Sequence, residues 1–189
     1  MPDQPFYSQP ILDLARGLIG CTLTVDGVGG MIVETEAYES ADPASHSFGG
    51  PGARNAVMFG PAGHAYVYRS YGLHWCLNVT GGDAPGAAVL IRAIAPAAGL
   101  DIMIARRGLA DPRLLCAGPG RLAQALAVTG ALNGASIERP PFALALPPAP
   151  VPPAAIVQGP RIGITKAAER PWRFGLAGSR FLSRPFRGG

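Results

Sequence analysis

The sequence predicts an α+β fold: a single compact domain, a mixed and mainly antiparallel β-sheet with short flanking helices. Three observations carry this. Strand-like runs succeed one another without the regular βαβ alternation of a parallel sheet. Glycine (26) and proline (20) are abundant, so loops are many and helices short. The 189 residues, 48 % hydrophobic and 15 % charged, suit one domain over residues 1–189 with a substantial apolar core.

The elements follow in order. "SQPILDLARGLIG" reads as a short helix with Ser8 as cap, Pro10 in the first turn and Ile11, Leu14 and Leu18 on one face; Gly17 and Gly20 end it. "CTLTVDGVGGMIVETEAY" reads as two strands joined by a turn at Asp26-Gly27 or Gly29-Gly30. Residues 39–63 form a long loop. "HAYVYRSYGLHWCLNVT" is aromatic and β-branched, hence strand, broken near Gly72. "GAAVLIRAIAP" is a buried strand carrying Arg92. "AAGLDIMIARRG" and "GPGRLAQALAV" are helix candidates, the second with Pro119 in its first turn. The proline-rich run at 140–153 reads as a covering or connecting segment. "PRIGIT" and "RFGLAGSRFLS" read as the last strands.

Composition bounds the function classes. No apolar run of about 18 residues is present, so no membrane span is expected. The first ten residues lack a basic stretch followed by an apolar block, so no signal peptide is expected. Cys21, Cys76 and Cys116 are odd in number and sit among apolar neighbours, as buried free thiols of a reducing cytosol do. They form no C-x-x-C, and His46, His64 and His74 show no ligand spacing, so no metal is expected. The net charge is +4, unevenly spread: residues 161–189 carry seven cations, Arg161, Lys166, Arg170, Arg173, Arg180, Arg184 and Arg187, against Glu169 alone. A basic end on a near-neutral body fits either a polyanion contacted on one side or a solubilising tail.

The chemistry concentrates in "IVETEAYESADPASHS". Alternate strand residues share a face, so Ile32, Glu34, Glu36 and Tyr38 are expected on one wall, roughly 6.5–7 Å between neighbours. For Glu34 a solvated edge position is the simpler reading. Tyr66 and Tyr68 share a strand face, and Tyr71 lies at the break beside Gly72. Clustered tyrosines are either core or a stacking pocket for a flat ring. Asn78 and Arg92 are candidate buried polar groups that demand partners, and Glu36 is the natural counter-charge for Arg92.

At these residues the chain resembles the alkyladenine (3-methyladenine) DNA glycosylases of the mammalian type. "LARGLIG", "GMIVETEAY", "ASHSFGG", "RNAVMF", "AYVYRSYGLHWCLNV", "AVLIRAIAP", "CAGPGRLAQAL" and "PRIGI" carry the resemblance, in family order. It implies an enzyme that flips a damaged purine out of duplex DNA and hydrolyses its bond to the sugar. Glu36 would activate the water, with Arg92 and the Ile162 carbonyl helping to hold it. Tyr38 would stack on one face of the base, His46 and Tyr68 on the other. Asn78 would crowd the exocyclic amine of normal guanine, and Tyr71 would fill the gap in the helix. Alkylated purines such as 3-methyladenine and 7-methylguanine are the implied substrates, with hypoxanthine and ethenoadenine as further candidates. Arg161 and Arg180 are candidate contacts to the DNA backbone. The resemblance implies no cofactor, no metal and no obligate protein partner, and a cytoplasmic place in a bacterium or a nuclear one in a eukaryote.

The single lysine, Lys166, lies outside the tyrosine and glutamate blocks, so an amine-nucleophile lyase is not expected. Two other readings compete: a non-catalytic nucleic-acid-binding module, which would have no use for Glu36, and a carbohydrate hydrolase using Glu34 with Glu36. The latter is disfavoured because both carboxylates would line one wall rather than flank a bond.

Overall fold

A computed structural model describes residues 4–186. Arg187, one of the basic C-terminal residues, lies outside the described residues. Among these residues the architecture is α+β: eight strands in one sheet, every pairing antiparallel, with five short α-helices. The helices are α1 (Gln4–Tyr7), α2 (Ile11–Gly17), α3 (Leu100–Arg107), α4 (Pro112–Leu115) and α5 (Pro119–Ala125). The strands are β1 (Thr22–Val25), β2 (Val28–Tyr38), β3 (Ala65–Ser70), β4 (His74–Thr80), β5 (Ala88–Ala98), β6 (Phe142–Ala145), β7 (Ile156–Gly159) and β8 (Arg173–Leu176).

The sheet order is β3-β4-β5-β2-β1-β6. β2 is the hub. β5 runs along one edge from Gly29 to Tyr38. The other edge is shared: β1 takes the start of β2, and β8 takes Glu34 to Glu36. This is why the middle of β2 is buried on every side.

The β1–β2 turn is Asp26-Gly27, with φ of 49° and 77°, the left-handed pair that a two-residue hairpin of matching twist requires. Gly29-Gly30 serves another purpose: a Cβ on Gly30 would stand 2.0 Å from the Ala95 carbonyl oxygen, so β2 and β5 approach there only because the side chain is missing. The β3–β4 hairpin closes over Tyr71, Gly72 and Leu73, with the Leu73 N–H donating to the Ser70 carbonyl.

The main core joins α2, α3 and α5 to the sheet through Leu14, Leu18, Ile91, Ile94, Met103 and Leu122, among others. Cys21, Cys76 and Cys116 are buried free thiols.

Several sequence readings need correction. Pro10, not Ser8, occupies the N-cap of α2, and no side chain caps it. The 140–153 run is more than a cover: Phe142–Ala145 pairs with β1 as an edge strand, where flanking prolines cost no ladder bonds. "PRIGIT" is not a strand; the strand is β7, just before it. Register shifts between Ile32 and Thr35 interrupt the alternation of β2. Ile32 therefore joins the main core with Ala37, while Glu34 and Glu36 reach Arg92 together.

Candidate active site

A cavity of about 710 Å³ opens between β2, the β3–β4 hairpin, β5 and the loop after β7, within the size range of sites for small ligands. Glu36 lines it and is fully buried. Its Oε1 accepts the Ile162 N–H at 2.8 Å and faces Arg92 Nη1 at 3.1 Å. Its Oε2 accepts the Tyr38 hydroxyl at 2.8 Å. Burial pushes the carboxyl above the usual carboxylate range; Arg92, the Ile162 N–H and the Tyr38 hydroxyl pull it back, and Glu34 raises it further. Burial and Glu36 together push the Tyr38 phenol upward, so it stays a donor.

Tyr38 is held from behind. The Arg161 guanidinium lies 4.6 Å from its ring centroid and 5.1 Å from that of Trp172. That guanidinium is itself bonded to Asp42 and to the Ala37 and Ala167 carbonyls. His46 and Tyr68 also line the cavity, with rings 4.4 Å apart at 71°. Tyr66 fixes them: its hydroxyl meets His46 Nδ1 at 2.9 Å, and its ring packs 5.5 Å from Tyr68. The His46 carbonyl is tied to Asn55 Nδ2 at 2.8 Å. Burial, then the Arg54 cation, pushes the His46 imidazole below its usual range. Asn78, buried on β4, donates from Nδ2 to the Tyr66 carbonyl at 3.0 Å. The arrangement is a cavity lined by several aromatic rings and one desolvated carboxylate.

A family model described as methylpurine-DNA glycosylase matches residues 5–180. The chain belongs to this family. It is 64 % identical over 182 residues to a protein of Nitrosospira multiformis, covering 96 % of this chain and 93 % of that one. It is 59 % identical over 186 residues to one of Rhodopseudomonas palustris (96 % and 90 %), and 56 % identical over 183 residues to one of Agrobacterium fabrum (97 % and 92 %). All three carry the provisional name 3-methyladenine DNA glycosylase.

In this glycosylase Glu36, Arg92 and Ile162, the residues expected at the chemistry, line the cavity. So do Tyr38, His46, Tyr68 and Asn78, expected around the base. Tyr71 stands at the rim, 86 % exposed. Ile162 meets Glu36 through its amide N–H.

Arg161 is not where charge alone placed it. Its side chain is fully buried against Asp42, so it supports Tyr38 and offers nothing to a phosphate. Arg180 is exposed and lies over the Phe181 ring, outside the cavity. Glu34 is no solvated edge residue: it is fully buried and bonded to Arg92, Arg173 and Ser183.

Lys166, outside the tyrosine and glutamate blocks of the sequence, lines the same cavity. With Arg54 and Arg69 it places three exposed cations around the mouth. Sequence reasoning missed this collar, Tyr66 as the partner of His46, and Arg173 and Ser183 as partners of Glu34. Only the Glu-x-Glu alternation hinted at the last.

Proposed function

We propose that this glycosylase excises alkylated purines from duplex DNA, 3-methyladenine first, by direct attack of water. The observation that carries the reading is Glu36: one buried carboxylate, held above the ordinary carboxylate range by burial and lining the same cavity as Tyr38, His46 and Tyr68. Raising a carboxylate in this direction makes it a better proton acceptor. Glu36 takes a proton from water as the oxygen bonds to C1′ of the sugar. The electrons of the N-glycosidic bond leave with the base, and the carboxylate offsets the positive charge developing on the sugar. Arg92 and the Ile162 carbonyl orient the water.

The base stacks between Tyr38 and the His46–Tyr68 wall, each stacked face worth about 1–3 kcal/mol. Asn78 excludes the exocyclic amine of guanine. Tyr71 enters the duplex where the nucleotide left. Arg54, Arg69 and Lys166 take the flanking phosphates, with Arg180 as a more distant backbone contact.

A 3-alkylated adenine already carries positive charge and leaves as a neutral base. Hypoxanthine and ethenoadenine are neutral and need a proton. His46, held neutral by burial and Arg54, is a poor donor for it. Cationic lesions such as 3-methyladenine and 7-methylguanine are therefore the faster substrates. We read the whole chain as one catalytic domain working on DNA in a bacterial cytoplasm.

The test uses duplex oligonucleotides bearing one lesion each, with free base measured by chromatography. Release of 3-methyladenine faster than hypoxanthine supports the reading. DNA binding without base release would favour a non-catalytic module. Cleavage of the strand with a borohydride-trapped adduct on Lys166 would replace water with an amine nucleophile.

A further inference from the structure

Behind the cavity four charged side chains are buried together: Glu34 and Glu36 of β2, Arg92 of β5 and Arg173 of β8. Arg92 is divided between the acids, with Nε 3.0 Å from Glu34 Oε1 and Nη1 3.1 Å from Glu36 Oε1. Arg173 pairs in register with Glu36 across β2–β8. Its guanidinium nonetheless goes to Glu34, Nη1 to Oε1 at 3.0 Å.

The C-terminal segment completes the arrangement. Ser183 donates its N–H to Glu34 Oε2 at 2.5 Å and its hydroxyl to Oε1 at 2.8 Å. The same hydroxyl accepts from Arg92 Nη2 at 3.2 Å. Arg173 in turn holds that segment through the Arg184 and Pro185 carbonyls at 3.2 and 3.1 Å and lies 3.7 Å over the Phe186 ring. Gly175, opposite Glu34, leaves room for Phe186: a Cβ there would sit 2.5 Å from its ring.

Two acids and two guanidiniums make the cluster neutral. Glu36 has two donors, the Ile162 N–H and the Tyr38 hydroxyl, and the Arg92 cation beside it. Glu34 has Arg92, Arg173 and both Ser183 groups. Were Arg173 absent, one guanidinium would face two buried carboxylates, and such a pair keeps a proton.

We propose that Arg173 and Ser183 are positioning residues for the reaction: by satisfying Glu34 they leave Arg92 free to hold Glu36 ionised against the cavity. The inference rests on the reading of Glu36 as the base. It gives one arginine of the C-terminal basic section, Arg173, a task inside the fold. The other titratable groups facing Glu36 are Tyr38 on its own strand, Tyr68 of β3 and Cys76 of β4. Lys166, from the loop after β7, and His46, from the loop after β2, line the same cavity. None of these is a second anion near neutrality.

The test is the pH profile of single-turnover 3-methyladenine release by the full chain, beside an NMR titration of the Glu36 carboxyl carbon, assigned with Glu36→Gln. Arg173→Met raises the acid limb and the Glu36 midpoint by about one pH unit or more, Glu34→Gln lowers both by a similar amount, and the double variant Glu34→Gln/Arg173→Met returns them near wild type. A merely structural role lowers melting temperature and leaves the midpoints in place. Should Arg173→Met fail to fold, Glu34→Gln still decides, with the charge-balanced double variant as its reference. Unmoved midpoints in every single variant that folds, against a clear wild-type limb, overturn the inference. A Glu36 midpoint that moves while base release does not follow upholds the charge balance and overturns the catalytic reading of Glu36 instead.

Discussion

The β2–β5–β8 side of the cavity and the tip of the β3–β4 hairpin are built under opposite rules. On the first, every charge is buried and answered: Glu34, Glu36, Arg92 and Arg173 are each at most 6 % exposed and interlocked. At the second, Tyr71 and Leu73 are large, apolar and 86 % and 77 % exposed. Tyr71 also adopts a left-handed φ of 49°, a conformation that costs a non-glycine residue about 1–2 kcal/mol. On the proposed reading, the side that holds the carboxylate for proton transfer would gain from rigidity, because a misplaced charge in a dry site is expensive. A tip that entered a duplex would gain from its exposure in the free protein. Rigidity and exposure would then mark different duties on one cavity.

The largest expected effect breaks the first region at its centre. Glu36→Gln binds lesion DNA normally and releases base at least about 100-fold more slowly; near wild-type turnover would end the water-activation reading. The same variant tests the electrostatics. Glu36 is raised in the folded state by burial. Its contribution to stability is therefore fully present below the unfolded value and is lost as pH rises through the folded one. Wild type should gain stability relative to Glu36→Gln as pH falls from neutrality towards the ordinary carboxylate range. Urea melts at both ends of that range would show a constant difference if burial does not raise the group.

Next comes the tip. Tyr71→Ala weakens binding to lesion duplex about tenfold more than to undamaged duplex, since only the flipped complex has a gap to fill. Its melting temperature stays at the wild-type value, because the residue is 86 % exposed. Equal weakening on both duplexes, or a loss of stability, would make Tyr71 an ordinary contact or core residue and erase the contrast between the regions.

Asn78→Ser sharpens the comparison from the rigid side. Its amide is fixed by the Tyr66 carbonyl, so shortening it opens space where guanine's amine would sit. Release of normal guanine should rise about tenfold, read by chromatography of undamaged DNA; an unchanged background would move guanine rejection elsewhere.

The smallest effects separate cations that touch DNA from cations used within the fold. Arg69→Ala, at the cavity mouth, lowers the log–log salt slope of binding by about 1 and leaves lesion preference alone. Arg180→Ala does the same if the backbone path extends that far, and superimposable salt titrations would remove Arg180 from the interface. Arg161→Met instead leaves the slope intact and lowers stability, because its guanidinium is bonded to Asp42.

The chain alone determined the class of the fold, its hairpins and the Glu36–Tyr38 pair, while the family resemblance pointed to the remaining cavity residues. Local signals suffice for the former: a glycine turn at 26–30 asks for a tight hairpin, Gly72 breaks the tyrosine strand, and Glu36 with Tyr38 stands at a two-residue spacing that any strand turns into neighbours. Even the register shift near Val33, invisible in the pattern, left that pair intact. Tertiary structure decided the rest, because it depends on partners far away along the chain. Glu34 reads as a solvated edge residue until Arg173 and Ser183, 139 and 149 residues later, arrive to bury it. Arg161 reads as a phosphate ligand until Asp42, 119 residues earlier, claims it. A basic run is a property of composition. Whether each cation faces water, a nucleic acid or a buried acid is fixed only by what folding brings within about 4 Å of it, where Coulomb attraction and desolvation are both strongest.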